Sequence, residues 1–286
     1  MLSSQQFDRV RRLALRLAGI ELAERHRELL DRRSRRLGIL NTAELDSLLG
    51  AAEEGDTTAT KQLLGLLTTK FTGFFRHPRH FGIAAEHALQ AAGQGGRARL
   101  WSAAAATGEE PYSLAIILIE AFRRDDPPAG ILATDIDVDA LDIAQRGEYG
   151  DAALRALDPA RRERFFSKPG TASRWSIAPA VRSLVEVRPL NLVTMPWNVT
   201  GRFDVIFSRN VLMYLEARYR YSVLEHMASA LAPDGLLILD PTEHLGAAGC
   251  LFTTGADGVY SLRPGVAPLA RQDGDIQQSR PMRMDL

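Results

Sequence analysis

Residues 100–114 read LWSAAAATGEEPYSL. Apolar side chains give way to small ones, the chain turns at Thr107-Gly108, and Glu109, Glu110 and Pro111 stand where a helix begins. A strand, a glycine turn and a helix in that order open nucleotide-binding sheets, where free N–H groups and the positive helix end meet a phosphate. Here two carboxylates occupy the position of the anion. They would repel a pyrophosphate. S-adenosylmethionine carries adenosine without phosphate, and its sulfonium and ammonium groups are cations, so the turn favours it over a nicotinamide dinucleotide. For one of the two glutamates, a favourable interaction with the helix dipole is reason enough.

Working outward, RARLWSAAA reads as a strand, EPYSLAIILIEAFRR as a helix, GILATDID as a strand and DVDALDIAQRG as a helix. FDVIFSRN, EARYRYSVLEHMASALAPDG and LLILD repeat the alternation. Short apolar strands alternating with helices predict an α/β protein with a mostly parallel, Rossmann-like sheet covered on both faces. Ligands on such sheets bind beyond the carboxyl ends of the strands. Asp135 ends the second strand, where an acid accepts hydrogen bonds from a ribose diol. Its other use, as a helix cap, falls to Asp137 just before VDALDIAQ.

The first 70 residues show helical periodicity alone. A Ser3 or Ser4 cap precedes Phe7, Val10, Leu13, Ala14 and Leu17 on one face, and Gly19 closes that helix. A second runs to Gly38, a third starts at an Asn41–Glu44 capping pattern, and TATKQLLGLLTTKF supplies a fourth. We expect an all-α N-terminal domain over 1–70, a linker over 71–96 and a transferase domain over 97–264. A small antiparallel β-subdomain interrupts the last at about 154–190, and a polar, aperiodic tail over 265–286 is expected to be disordered.

The bulk numbers exclude several classes. With 45% hydrophobic and 24% charged residues the chain is of ordinary globular composition. Thirty-five basic and 35 acidic residues cancel, so no overall field favours nucleic acid or an anionic membrane. One cysteine, Cys250, permits neither an intrachain disulfide nor a zinc cluster, and six scattered histidines have no metal-ligand spacing. MLSSQQFDRVRRLALRL meets charges too early for a signal peptide, and no apolar run reaches the roughly 18–20 residues of a membrane span. A cytoplasmic location is the expectation.

The motifs TTKFTGFFRHPRHF, WSAAAATGEEPYSLA, TDID with GEY, PLNL, FDVIFSRNVLMYL and LAPDGLL, in that order, resemble the CheR-type chemotaxis methyltransferases, over about residues 5–264. That family esterifies glutamates on chemoreceptors. The resemblance implies a helical domain, a linker and an α/β domain carrying a small β-subdomain. It implies that Thr72 and Arg76 edge the site of S-adenosylmethionine, or of its product S-adenosylhomocysteine. Glu110 then meets the amino end of the cofactor, Asp135 takes the ribose, Asn191 and Leu192 flank the adenine, and Arg209 and Asn210 close the pocket. Arg76 and Tyr214 lie beside the transferred methyl. Two departures stand out. Lys70 replaces the family's usual asparagine, and FFSKPGTASRWSI lacks the glycine-rich residues of members that grip a receptor's carboxyl-terminal peptide, which argues against such a tether.

A glutamate carboxylate, with an ordinary pKa of about 4.3, is ionised at pH 7 and needs no general base. Arg76, helped by the Tyr214 hydroxyl, is expected to position it. The second helix carries Arg25, Arg27, Arg32, Arg33, Arg35 and Arg36. Arg25, Arg32 and Arg36 fit a docking face for glutamate-rich receptor helices, and equally a solvated face offset by Glu24, Glu28 and Asp31. The alternative function is a non-catalytic signalling module that binds S-adenosylmethionine or S-adenosylhomocysteine. A nucleic-acid methyltransferase is disfavoured by the zero net charge and the lack of an Asn/Asp-Pro-Pro-Tyr/Phe motif.

Overall fold

The structure, a computed structural model, describes residues 2–39, 41–69, 72–93, 95–170 and 172–265. Lys70 and, beyond Gly265, the expected tail lie outside the described residues. The helical start comprises α1 (Ser4–Ala18), α2 (Arg27–Arg36), α3 (Thr42–Glu53) and α4 (Thr57–Leu67). Ser3 caps α1: its hydroxyl accepts from Gln6 N–H at 3.2 Å while Gln6 accepts from Ser3 N–H at 3.1 Å. Asn41 caps α3 by accepting from Glu44 N–H. The second helix is shorter than the periodicity predicts. A 3-10 turn, Glu24–His26, precedes it because the Ala23 N–H bonds the His26 ring at 3.0 Å, so Arg25 sits on the turn and not on α2. Phe7, Leu13, Leu30, Leu49 and Leu63 form the local core.

The stretch expected as a linker holds a full helix, α5 (Pro78–Gly93), which buries Phe81, Ala84 and Ala88 against the main sheet and its neighbouring helix. Then come β1 (Ala98–Ser102), α6 (Glu109–Phe122), β2 (Ala129–Asp135), α7 (Val138–Arg146) and β3 (Glu148–Tyr149). Next are α8 (Asp151–Leu154), α9 (Pro159–Phe165), β4 (Phe166–Ser167), β5 (Trp175–Ile177), α10 (Pro179–Arg182) and β6 (Val185–Pro189). The chain continues through β7 (Phe203–Phe207), α11 (Ala217–Ala230), β8 (Leu231–Ile238), β9 (Phe252–Thr254) and β10 (Val259–Leu262).

The large sheet has the order β6-β2-β1-β7-β8-β10-β9, parallel from β6 to β8 and antiparallel for the last two pairs. One face buries Leu100, Ile131, Val205 and Phe207 beside α5 and α6. The other buries Trp101, Leu132, Ile206 and Leu237 against Val223, Leu224 and Met227 of α11. This is the predicted α/β architecture, with a separate small antiparallel sheet in the order β3-β5-β4.

That small sheet does not extend to residue 190. VEVRP forms β6, a parallel edge strand paired with β2. Val185 and Val187 pack over Ala133 and Leu141, while Glu186 and Arg188 pair with each other at 2.8 Å on the other face. An edge strand buried on one side carries the same period-two alternation as an antiparallel strand, so the pattern alone does not separate them. At its other end the small sheet begins earlier than expected, with Glu148 of β3.

Candidate active site

The chain leaves β1 for β2 and β6 on one side and reaches β7, on the other side of β1, only after the insertion. Such a switch in strand order opens a crevice beyond the strand ends. A cavity of ≈ 190 Å³ fills it, lined by Ala103, Ala104 and Ala106 after β1, Leu190 and Val193 after β6, and Leu29 and Leu30 of α2. Thr72, Arg76, Glu110, Asp135, Asn191, Leu192, Arg209, Asn210 and Tyr214, all singled out from the sequence, line the same cavity.

The turn that opens the site is set by Gly108. Its φ of +98° suits glycine, and a Cβ there would stand 2.8 Å from both the Ala144 Cβ and the Tyr149 hydroxyl. The two glutamates after it part company. Glu109 accepts from the Thr107 hydroxyl at 2.7 Å and stays inside the turn. Glu110 borders the cavity, accepting from the Ser102 hydroxyl at 2.7 Å and from Arg209 Nη1 at 3.3 Å. Burial pushes the Glu110 carboxyl above its ordinary range, against the opposing pull of Arg209, Ser102 and Arg76. Arg209 has a side chain only 3% exposed. Its Nε and Nη2 find no hydrogen-bond partner among the described residues.

Asp135 accepts from Ala106 N–H at 2.8 Å on one oxygen and from Asp137 N–H at 2.9 Å on the other. Burial raises its carboxyl against those same bonds. A carboxylate offers about four lone-pair sites, so acceptor capacity remains for a diol. Asp137 takes the cap of α7, accepting from Ala140 N–H, and also accepts from the Thr68 hydroxyl at 2.7 Å beyond α4. Asn191 donates to the Leu17 carbonyl at 2.7 Å and accepts from Val193 N–H, so its carboxamide ties α1 to this rim.

Arg76 stands between two residues in the left-handed region, Phe75 (φ 52°) and His77 (φ 60°). Each such residue costs about 1–2 kcal/mol, which the surroundings must offset. The Phe75 N–H donates to Ser113 Oγ at 2.9 Å, and the Arg161 guanidinium lies 4.3 Å over the Phe75 ring. Arg76 Nη2 and His77 Nε2 approach one oxygen of Asp240, at 3.7 and 3.4 Å. Burial works to raise Asp240, yet bonds from Thr242 and Asn210, with His77 close by, hold its carboxyl below the ordinary range. Tyr214 ends a 3-10 turn, Leu212–Tyr214, and is 39% exposed at the rim. Its carbonyl accepts from Glu21 N–H, and Glu216 N–H donates to the Gly19 carbonyl, which joins the α1–α2 connection to the cavity.

Sequence reasoning missed Asp240 and Glu243. The strand-end position that marks Asp135, the last residue of β2, also marks Asp240, two residues past β8. Nothing in the chain flags Glu243. Among the described residues no cluster of His, Cys, Asp and Glu could hold a metal ion, and no helix is long and apolar enough to cross a membrane.

A parallel sheet, a switch-point cavity, a ribose-type acid and a buried glutamate at the first turn define the class: a Rossmann-like transferase domain for an adenosyl cofactor. Residues 70–254 match the family described as "CheR methyltransferase, SAM binding domain", and the chain belongs to that family. It is similar to "Chemotaxis protein methyltransferase 2" of Pseudomonas aeruginosa, 37% identical over 267 residues that cover 90% of this chain and 92% of the relative. The "Chemotaxis protein methyltransferase" of Salmonella typhimurium is 36% identical, covering 91% of each chain. That of Escherichia coli is 34% identical, covering 91% of this chain and 92% of its own. The residues present fit S-adenosylmethionine. A buried carboxylate with a raised pKa suits an ammonium group, Asp135 suits a diol, and the unpartnered donors of Arg209 suit a carboxylate.

Proposed function

We propose that this protein transfers methyl groups from S-adenosylmethionine to glutamate side chains of chemoreceptors, in the cytoplasm, leaving glutamyl methyl esters and S-adenosylhomocysteine. The observation that carries the reading is the pairing, at one cavity, of opposite charges with opposite uses. Glu110 is a buried carboxylate suited to a cation, and Arg76 is a rim guanidinium suited to a carboxylate. In this reading residues 1–70 supply one wall of the site and a docking surface. Residues 71–96 carry Thr72 and Arg76, and 97–264 form the transferase unit.

Glu110, Asp135, Asn191, Leu192, Arg209, Asn210 and Thr72 would hold the cofactor, which supplies an electrophilic methyl on sulfur. The acceptor is already ionised at neutral pH, so no residue has to remove a proton. Arg76 orients the incoming carboxylate, assisted by the Tyr214 hydroxyl. Asp240 keeps Arg76 from gripping so tightly that the nucleophile is blunted. Charge is lost as carboxylate and sulfonium react, so the apolar walls of Leu30, Leu192 and Val193 favour the reaction. Alignment contributes on the order of 7–11 kcal/mol in well-oriented pairs.

The receptor docks, in this proposal, on the basic second helix. Arg27 bonds the Leu2 carbonyl, Arg33 bonds the carbonyls of Leu66 and Leu67, and Arg35 pairs with Asp31. Those three serve the fold. Of the expected docking residues, Arg25 and Arg32 are exposed, and the side chain of Arg36 lies outside the described residues. The decisive experiment incubates the protein with methyl-labelled S-adenosylmethionine and receptor-bearing membranes of its own cell. Base-labile label on the receptors is the expected result. Tight cofactor binding with no label would favour a non-catalytic signalling module instead.

A further inference from the structure

The loop from Ser208 to Leu215 supplies Arg209, Asn210, Val211, Tyr214 and Leu215 to the cavity, and its first half, Ser208 to Val211, is neither helix nor strand. Asn210 sits at φ 57°, in the left-handed region, and the backbone then enters the short 3-10 turn. A loop of this kind has N–H groups that no regular ladder satisfies, and buried ones must find a partner. They find Glu243. One carboxylate oxygen accepts from Asn210 N–H at 2.8 Å and from Asp240 N–H at 3.2 Å. The other accepts from Val211 N–H at 3.0 Å and from Met213 N–H at 3.2 Å. Glu243 is 2% exposed and does not itself line the cavity.

We propose that Glu243 is a positioning residue for the transfer: its side chain fixes the Asn210–Tyr214 loop and so places Tyr214 and Asn210 at the cavity rim. The chemistry of the group supports this. Both oxygens are used twice, so the side chain must be an acceptor at every one of its four contacts, and a carboxylate alone offers that. Burial drives the Glu243 carboxyl upward, and the bonds from Asn210, Met213 and Asp240 oppose it, as expected of a charge kept in place by the loop it organises. Glu243 also links two parts of the site. The turn that presents it begins at Asp240, the partner of Arg76, so the loop bearing Tyr214 and the acid facing Arg76 share one anchor.

The activity arm of the test rests on the function proposed above; the structural arm does not. Glu243→Gln keeps the shape but turns an NH2 group toward two of the four donors. Amide hydrogen exchange at residues 210, 211 and 213 is expected to quicken about tenfold, with the β2 amides unchanged. At saturating cofactor, kcat for receptor methylation is expected to fall about tenfold or more, and S-adenosylhomocysteine affinity to weaken by a smaller factor, because Asn210 is one of several residues that would hold the cofactor. Glu243→Asp, which keeps the charge, should recover part of both losses, and it replaces Glu243→Gln in every arm if the latter does not fold. Unchanged exchange at the three amides overturns the proposal. So does quickened exchange with kcat within about twofold of the unaltered protein, since Glu243 would then serve the fold alone. If the unaltered protein labels no receptor, the proposed substrate fails, and the exchange comparison decides by itself whether Glu243 holds the loop.

Discussion

Glu110 and Arg76 ask opposite things of pH and substitution. The Glu110 carboxyl is held above its ordinary range by burial, so at mildly acidic pH a fraction of it is protonated. An ammonium group binds the ionised form. Affinity for S-adenosylhomocysteine should therefore rise with pH, starting above the ordinary glutamate value of about 4.3, and level off once Glu110 is fully ionised. The sign for the protein without cofactor is the reverse: a raised carboxyl favours folding at low pH, and that contribution is lost as pH rises through the same window. Calorimetric titrations across pH check the first statement, and Glu110→Gln should flatten the profile while weakening binding. Arg76 is expected to act on the acceptor. Arg76→Ala should abolish receptor methylation while S-adenosylhomocysteine affinity stays within about tenfold of its original value. Parallel loss of both would make Arg76 a strut between Asp240 and the strained segment around it, with no part in holding substrate.

The elements show which signals a chain carries openly. Ser3, Gly19, Asn41, Asp56 and Asp137 act as caps, and the first, second, third and fifth were readable because a cap is a relation between residues three or four apart. The nine cavity residues were readable through family resemblance, and two of them also by place: Glu110 at the glycine turn and Asp135 at a strand end. β6 was misread because an edge strand shares its alternation with antiparallel strands. Glu243 was invisible: its four partners lie up to 33 residues away, and no local pattern distinguishes a buried acid from one in solvent. Gly19 offers a test at this scale. It ends α1 at φ +64°, and a Cβ there would stand 2.8 Å from Val193 Cγ1 and 3.0 Å from the Tyr219 ring. Gly19→Ala should cost about 1–2 kcal/mol for the backbone conformation alone, more with the contact, measured by urea unfolding. Because Gly19 accepts from Glu216 and its neighbours meet the Tyr214 turn, cofactor affinity should fall as well.

At the scale of the molecule, charge is arranged and not accumulated. The 35 basic and 35 acidic residues cancel, so encounter with a partner cannot rely on net charge. What remains is local. Arg25 and Arg32 are exposed, on the 3-10 turn and on α2, the same two elements that place His26 and Leu29 on the wall of the cavity. An acidic receptor helix drawn to those arginines would thus arrive beside the rim that holds Arg76 and Tyr214. Interactions between exposed charges fade over a Debye length of about 8 Å at physiological ionic strength, so the attraction should act mainly on association and weaken with added salt. Replacing Arg25 and Arg32 together with glutamate should raise KM for receptor methylation several-fold at low salt and much less at high salt, with kcat and cofactor affinity held. Steady-state rates on receptor membranes, taken across a series of salt concentrations, provide the measurement. A double variant with unchanged KM at every salt concentration would make those arginines an ordinary solvated surface and move receptor docking elsewhere on the molecule.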